Sequence, residues 1–350
     1  MRIARWVIVW CIVLAGGTLR LYYADTMKTD WDEDDYLVPA GMFRRLMDDG
    51  EWAEMVQVQQ NFEHPLLVKL LYAVSIESDE LAEVPTENVR YDNRIPLPPH
   101  TLRNTRLLSV LSGTLTLLVV AAISPLAGLA LAVQSIHVHY SSVAYLDALP
   151  TLFTALAVTL YARRRHPWLA AACLGIAVAG KYPYAVVGGV IVLHALIVRR
   201  WPVTRLLAWG LVAVGVFFLL NPYLWPDPIG RVRDQLQYHE DYTQRSVVNH
   251  DPVKPLRQMV TPNKHFQHLF DDSEPYWFFA WTDWLLFVLA VPGTLLLLRR
   301  GSVYGWWLVL GFAFLIVWPT QWVQHDMVIV VPYSLAASAG LAGIVARVRR

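Results

Sequence analysis

Long uncharged stretches alternate along this chain with short polar connections, many of them basic. The stretches are Trp6 to Leu19, Leu107 to Pro125, Trp168 to Gly180, Tyr184 to Val198, Leu206 to Leu220, Trp284 to Leu298, Val303 to Trp318 and Met327 to Ala346. Each reaches most of the way across a hydrocarbon layer, which takes about 20 residues of helix. The basic connections hold Arg2 and Arg5, Arg163 to Arg165, Arg199, Arg200 and Arg205, Arg299 and Arg300, and Arg347, Arg349 and Arg350. Connections rich in lysine and arginine stay on the cytoplasmic side, and placing all of these inside gives about ten spans. Two of the ten are weak, at roughly 125 to 136 and 147 to 162. The pattern predicts an all-α polytopic membrane protein with both termini cytoplasmic. Residues 1–350 then form one transmembrane unit with no separate soluble domain, and 24–104, 136–146, 181–183, 221–275 and 320–326 lie outside.

The first external loop, 24–104, has a helical pattern of its own. From Tyr36, apolar residues recur at Ala40, Phe43 and Met47, with Asp34, Asp35, Arg44, Arg45 and Asp48 on the other face. That periodicity suits an amphipathic helix lying at the interface. A second such helix is expected to start at Pro65, with Leu66, Leu67, Leu70, Leu71 and Val74 in one stripe. Glu77, Asp79, Glu80, Glu83 and Glu87, with Pro85, Pro96, Pro98 and Pro99, then read as an exposed connector. The second large loop, 221–275, opens Asn221-Pro222-Tyr223-Leu224-Trp225-Pro226, predicts a short helix over Arg231 to Tyr242, and holds His239, His250, His265 and His268. These histidines are too scattered in sequence to define a metal site.

Composition agrees with a membrane protein: 55% of residues are hydrophobic and 16% charged, and the mean hydropathy is +0.37. A net charge of +1 with no basic recognition helix excludes a nucleic-acid partner. Cys11 and Cys173 both fall in apolar runs, which leaves no disulfide framework. Arg20 follows the first apolar run with no small-residue cleavage pattern, so that run is expected to remain as a span rather than be removed as a signal peptide.

The chemistry concentrates in Asp30-Trp31-Asp32-Glu33-Asp34-Asp35-Tyr36. Helix capping accounts for one or two acids in such a place; five exceed it. Capping is therefore assigned to Asp34 or Asp35, and Asp32 is the candidate base. Other polar residues fall on the same external side. Arg106 opens a span, where it either snorkels or meets an anion. Asp147 either caps the following helix or pairs with a cation such as Lys181 across the bundle. Lys181, in Gly180-Lys181-Tyr182-Pro183, either snorkels or contacts a phosphate. His194 and Asp283 read as structural polar residues.

Arg20-Leu21, Asp32-Glu33-x-x-Tyr36, His64-Pro65-Leu66-Leu67-x-Lys69, Arg106, Asp147, and Asn221-Pro222 with Trp225 together resemble, in order and over nearly the whole chain, the GT-C glycosyltransferases. The nearest branch resembles the protein O-mannosyltransferases and the aminoarabinose transferases. The resemblance implies a bundle of membrane helices with two interfacial helices in the first external loop, a sugar donor on a polyprenyl phosphate, and the acidic pair Asp32 and Glu33 at the catalytic centre. It implies His64, Lys69 and Arg106 near the donor phosphate and Tyr36 shaping the pocket. Leu66 stands where the family has a second proline, and Phe62 where it often has an acid, with Glu63 adjacent. The extra terminal domains of both branches are missing from the pattern, which leaves a protein, lipid or glycan acceptor open.

The reaction makes sense of the charges independently. A sugar leaving a lipid phosphate departs with an anion, so no acid is needed for the leaving group and one carboxylate suffices, as a base for the acceptor hydroxyl. Direct attack inverts the anomeric carbon. Lys69, Arg106 and Lys181 are the cations available for the departing phosphate. No cofactor is expected; a divalent metal on Asp30, Asp32 or Asp34 is the less favoured reading because the Asp-Glu pattern matches the metal-independent branch. The rival from another class is a transporter or flippase for lipid-linked sugars, although transporters place their charges near the bilayer midplane. A catalytically silent scaffold is the third reading. The expected location is a prokaryotic cell membrane, with the site extracytoplasmic and membrane lipids around it.

Overall fold

A computed structural model describes residues 2–58, 60–77, 79–80, 84, 97–245, 251–261 and 274–349. His250, His265 and His268 of the second loop, and Glu83, Pro85, Glu87 and Pro96 of the connector, lie outside the described residues. Among the described residues all regular structure is helical. The helices are α1 (Arg2–Thr26), α2 (Glu33–Asp48), α3 (Leu67–Ser75), α4 (Pro99–Ile123), α5 (Pro125–Val133), α6 (Ser135–Tyr140), α7 (Ala148–Ala162), α8 (Pro167–Gly180), α9 (Ala185–Ile197) and α10 (Val203–Leu219). They continue with α11 (Pro228–Arg245), α12 (Lys254–Val260), α13 (Glu274–Arg299), α14 (Val303–Val317) and α15 (Val330–Val348).

Among the described residues four helices are long and apolar enough to cross a membrane: Ile3–Thr26, Pro99–Ile123, Phe279–Arg299 and Val330–Val348. Shorter apolar helices occupy Ala148–Ala162, Pro167–Gly180, Tyr182–Ile197, Val203–Leu219 and Val303–Val317. At 1.5 Å per residue, the 15 residues of α7 run about 22 Å, less than the roughly 30 Å hydrocarbon core. The weak span expected at 125–136 is two short helices, α5 and α6, meeting at an extended Gln134. Asp283 of α13 caps the second of them, accepting hydrogen bonds from the Ser135 backbone N–H at 3.2 Å and from the Ser135 hydroxyl. The carboxylate thus satisfies a free helix end, which explains an acid on an apolar helix.

Large apolar side chains such as Leu14, Leu111, Leu207, Leu211 and Trp284 point outward and are exposed. In water that would be costly; against lipid it is the required surface. Between helices, small residues set the spacing. A Cβ at Gly293 of α13 would lie 1.7 Å from the Ala336 carbonyl oxygen of α15, and one at Gly340 of α15 would lie 2.0 Å from that of Leu289. Gly293→Leu is therefore expected to push α13 from α15 and lower the unfolding midpoint in detergent, at an overpacking cost of at least about 1–3 kcal/mol. Gly215→Leu, with nothing within 4 Å of its Cβ position, should leave the midpoint unchanged.

The bundle has two chemically different ends. Arg5 donates to the Ala122 carbonyl at 2.9 Å, bringing the start of α1 to the end of α4. Arg199 donates to the Ala162 carbonyl at 3.0 Å, and a His194 ring nitrogen lies 3.0 Å from the Gly301 carbonyl oxygen. The close crossing of α13 and α15 is parallel, so their basic C-termini share this end. The acids of the 30–35 block, Lys181 and Gln324 meet at the other. The connections from α1 to α4, α6 to α7, α8 to α9 and α14 to α15 converge there.

Candidate active site

Asp32 immediately precedes α2, in the N-cap position, yet its side chain makes no capping bond. The helix start is closed by its neighbours instead. The Asp30 N–H donates to Glu33 Oε2 at 2.8 Å, and Asp34 Oδ1 accepts from the Asp35 N–H at 3.0 Å. Asp34 and Asp35 lie in the first turn rather than at the cap, where their charge complements the helix dipole. The Asp32 carboxylate is left part-exposed, with Oδ2 accepting from the Gln324 amide at 3.1 Å. Its own N–H donates to the Tyr145 hydroxyl at 3.2 Å. Burial, followed by the charges of Asp35 and Asp30, pushes the Asp32 carboxyl up to about 7, against the opposing pull of Lys181. A carboxylate kept from the helix end and poised near neutrality is suited to taking a proton.

Glu33, next in sequence, has no such freedom. Its Oε1 accepts from Arg106 Nε at 2.8 Å and the Ala144 N–H at 2.7 Å; its Oε2 accepts from Arg106 Nη2 at 2.7 Å and the Asp30 N–H at 2.8 Å. Those four donors fill the acceptor sites of a carboxylate. Arg106 is equally committed, donating also to the carbonyls of Ala24 and Met27, both at 2.8 Å, and of Lys28 at 2.9 Å. All five of its N–H groups are used. Both side chains are buried, so Glu33 and Arg106 form a bracket tying α4 to the α1–α2 connection and the α6–α7 loop. Glu33, expected beside the base, and Arg106, expected near the donor phosphate, are thus each other's partners in the structure.

Lys69 is likewise enclosed. Its ammonium donates to the Asn61 carbonyl, to Asn61 Oδ1 at 3.2 Å and to the His64 carbonyl at 3.0 Å, which uses its three N–H groups. Burial pushes it down to about 7, with Glu63 opposing. Lys69 therefore pins the turn before α3, including Asn61 with its left-handed φ of 53°. Pinning that turn positions His64, whose ring centroid lies 5.9 Å from that of Tyr36 and 6.2 Å from that of His239. Burial and then Lys181 and Lys69 hold His64 well below the ordinary imidazole range. Tyr36 is buried between His64 and Tyr145, and its phenol is pushed up by burial and Asp32.

Asp147 and Lys181 pair at 2.7 Å, both buried, which settles the alternatives left open for Asp147 in favour of the cross-bundle pair. Tyr184 supports the carboxylate, its hydroxyl 3.4 Å from Asp147 Oδ1. Among the described residues Lys181 has no other hydrogen-bond partner, which leaves two ammonium N–H groups unused. Its charge acts on Asp32, His64 and His325 together. Burial and Lys181 push His325 down to about 3, and its ring nitrogen Nδ1 is 2.7 Å from the Thr320 carbonyl oxygen.

Sequence reasoning missed the segment Gln324-His325-Asp326. Its only sequence signal was three consecutive polar residues directly before the last apolar run. His139 was also missed; its Nε2 lies 2.7 Å from Asp30 Oδ2, pairing the two side chains in the core. Arg20, from the first motif, is buried in the bundle on Ser141, His137 and the carbonyls of Gly16, Leu131 and Ala132. Among the described residues no three His, Cys, Asp or Glu side chains gather as a metal ion would use them.

No family model and no curated protein matches the chain. Solved structures do. ArnT from Cupriavidus metallidurans in the apo state superposes with a TM-score of 0.59 at 16% identity, covering 98% of this chain and 60% of that one. The same protein bound to undecaprenyl phosphate superposes with a TM-score of 0.58 at 20% identity, covering 96% of this chain and 60% of that one. The chain has the GT-C fold. It spans 60% of the length of these structures. The end of the bundle where these connections converge holds Asp32, Lys181, His64, Tyr36 and Gln324.

Proposed function

We propose that the protein is an inverting glycosyltransferase that moves a sugar from a polyprenyl-phosphate donor to an acceptor hydroxyl on the extracytoplasmic side, with Asp32 as general base. The observation that carries this reading is an uncapped Asp32 carboxylate held near neutrality beside one lysine with two unused donors. The undecaprenyl phosphate bound to an ArnT structure of the same fold supports the donor class. The ArnT likeness favours the aminoarabinose-transferase side of the resemblance over the protein mannosyltransferase side. The base takes the acceptor O–H proton as the oxygen attacks the anomeric carbon. The anomeric C–O bond to phosphate breaks, and the electron pair leaves with the lipid phosphate. Lys181 offers the departing phosphate a charged donor, and neutral His64 a ring N–H. The basic clusters described at the opposite end of the bundle support an extracytoplasmic Asp32 end by the positive-inside rule.

The reaction needs no metal by this account, so EDTA should leave the rate unchanged. The test of the reading is release of free polyprenyl phosphate from labelled lipid-linked sugar by the purified protein with acceptor lipid or peptide extracts. Release matched to sugar transfer supports it. Movement of intact donor across a vesicle without cleavage makes the protein a flippase and ends it.

A further inference from the structure

The end of the bundle opposite Asp32 holds a cavity of about 200 Å³ that the transfer chemistry does not use, walled by Tyr161, Arg164, Arg165, Arg199, Trp201 and Arg205. Its walls come from two connections, α7 to α8 and α9 to α10. None of the four arginines has a carboxylate partner among the described residues, and the sequence has no Asp or Glu between Asp147 and Asp227. Arg164, Arg165 and Arg205 are exposed and Arg199 is half-buried. Two of the four are laid on aromatic faces. The Arg199 guanidinium sits 3.8 Å from the Tyr161 ring centroid and donates to the carbonyls of Tyr161 and Ala162; that of Arg205 sits 4.1 Å from the Trp201 centroid. Arg164 is held in a left-handed conformation with φ 56°. Burial, and then Arg164 and Arg205, lower the Arg199 pKa, so like charges are held together around one space.

We propose that this cavity binds a phosphate-bearing anion. Guanidinium forks match phosphate oxygens in pairs, and aromatic stacking fixes them in advance. The volume lies below the roughly 300–1,000 Å³ of ordinary small-molecule sites, which suits a headgroup-sized ion rather than a whole cofactor. Exposed Trp168, Leu169, Val203 and Leu207 lie on the adjoining first turns of α8 and α10, so an anion carried by a lipid can keep its chains in the bilayer. The site is independent of the activity proposed for the other end.

The test compares the full-length protein with Arg164→Gln/Arg205→Gln in detergent, counting bound phosphatidylglycerol by native mass spectrometry against phosphatidylcholine. Thermal shifts with inorganic phosphate are measured at matched ionic strength. Removing two charged donors should weaken phosphatidylglycerol binding by about a hundredfold, a factor of ten for each. Arg347→Gln/Arg349→Gln, which removes equal charge from the same end, should weaken it less than about threefold by screened long-range attraction alone. Stabilisation by inorganic phosphate that is lost in the first variant assigns the free ion as a ligand; response to the lipid only assigns the headgroup. Equal losses in the two double variants, or no response to either phosphate source, overturn the proposal.

Discussion

Asp32→Asn is expected to abolish sugar transfer while leaving the protein folded and able to take up donor. Removing a general base costs typically 10²- to 10⁴-fold, and asparagine keeps the shape and the Gln324 contact. The stability effect has a definite sign. Folding raises this carboxyl from the ordinary 3.8 to about 7, so the folded state holds its proton more tightly than the unfolded chain. The resulting stabilisation is full below about 4 and is lost as pH rises towards 7. At pH 8 the wild-type protein carries an ionised Asp32 beside Asp30 and Asp35 with nothing gained for folding. Asp32→Asn should therefore melt at the same temperature as wild type, or higher, at pH 8. Paired activity and melting measurements check both halves. A variant that melts well below wild type would mean that its lost activity reports misfolding.

Arg106→Met is expected to behave in the opposite way, with stability failing first. It strips Glu33 of its ion pair and leaves three carbonyl oxygens, of Ala24, Met27 and Lys28, without their donor. Breaking a buried pair from one side costs about 3–5 kcal/mol, a large share of the roughly 5–15 kcal/mol that holds a typical protein folded. The variant should accumulate poorly and melt early. Arg106→Met/Glu33→Leu, which removes both charges, should recover part of the loss. The expectation separates the bracket from a phosphate ligand, since a ligand variant would fold normally and bind donor weakly.

The residues of the acidic block show what was legible in the sequence and what was not. Five acids beside an apolar run marked the stretch where Asp32, Glu33 and Arg106 lie close together, and periodicity found α2, α3 and α11 within a few residues of their bounds. The Asp147–Lys181 pair was one of two readings that spacing allowed. Spacing could not separate Asp32 from Glu33, because one residue along a helix start turns a side chain from the part-exposed face to the core. Which of the two met Arg106 depended on Ala144 and the carbonyls at 24, 27 and 28, all distant in sequence or belonging to the backbone. Lys69 was hidden for the same reason: its acceptors are Asn61 and His64 backbone and amide oxygens, which no side-chain motif records. Gln324 lies 292 positions from Asp32 and reaches it only through the turn before α15. The break at Gln134 depends on Asp283, again a partner supplied by another helix.

The measurement that bears most directly on Asp32 as base is the pH dependence of sugar-transfer kcat/KM for the wild-type protein between pH 5 and 9. The base must be deprotonated, so the rate should rise tenfold per unit below the Asp32 value and level off above about 7. A flat profile over that range, with donor cleavage still occurring, would contradict a base poised at Asp32.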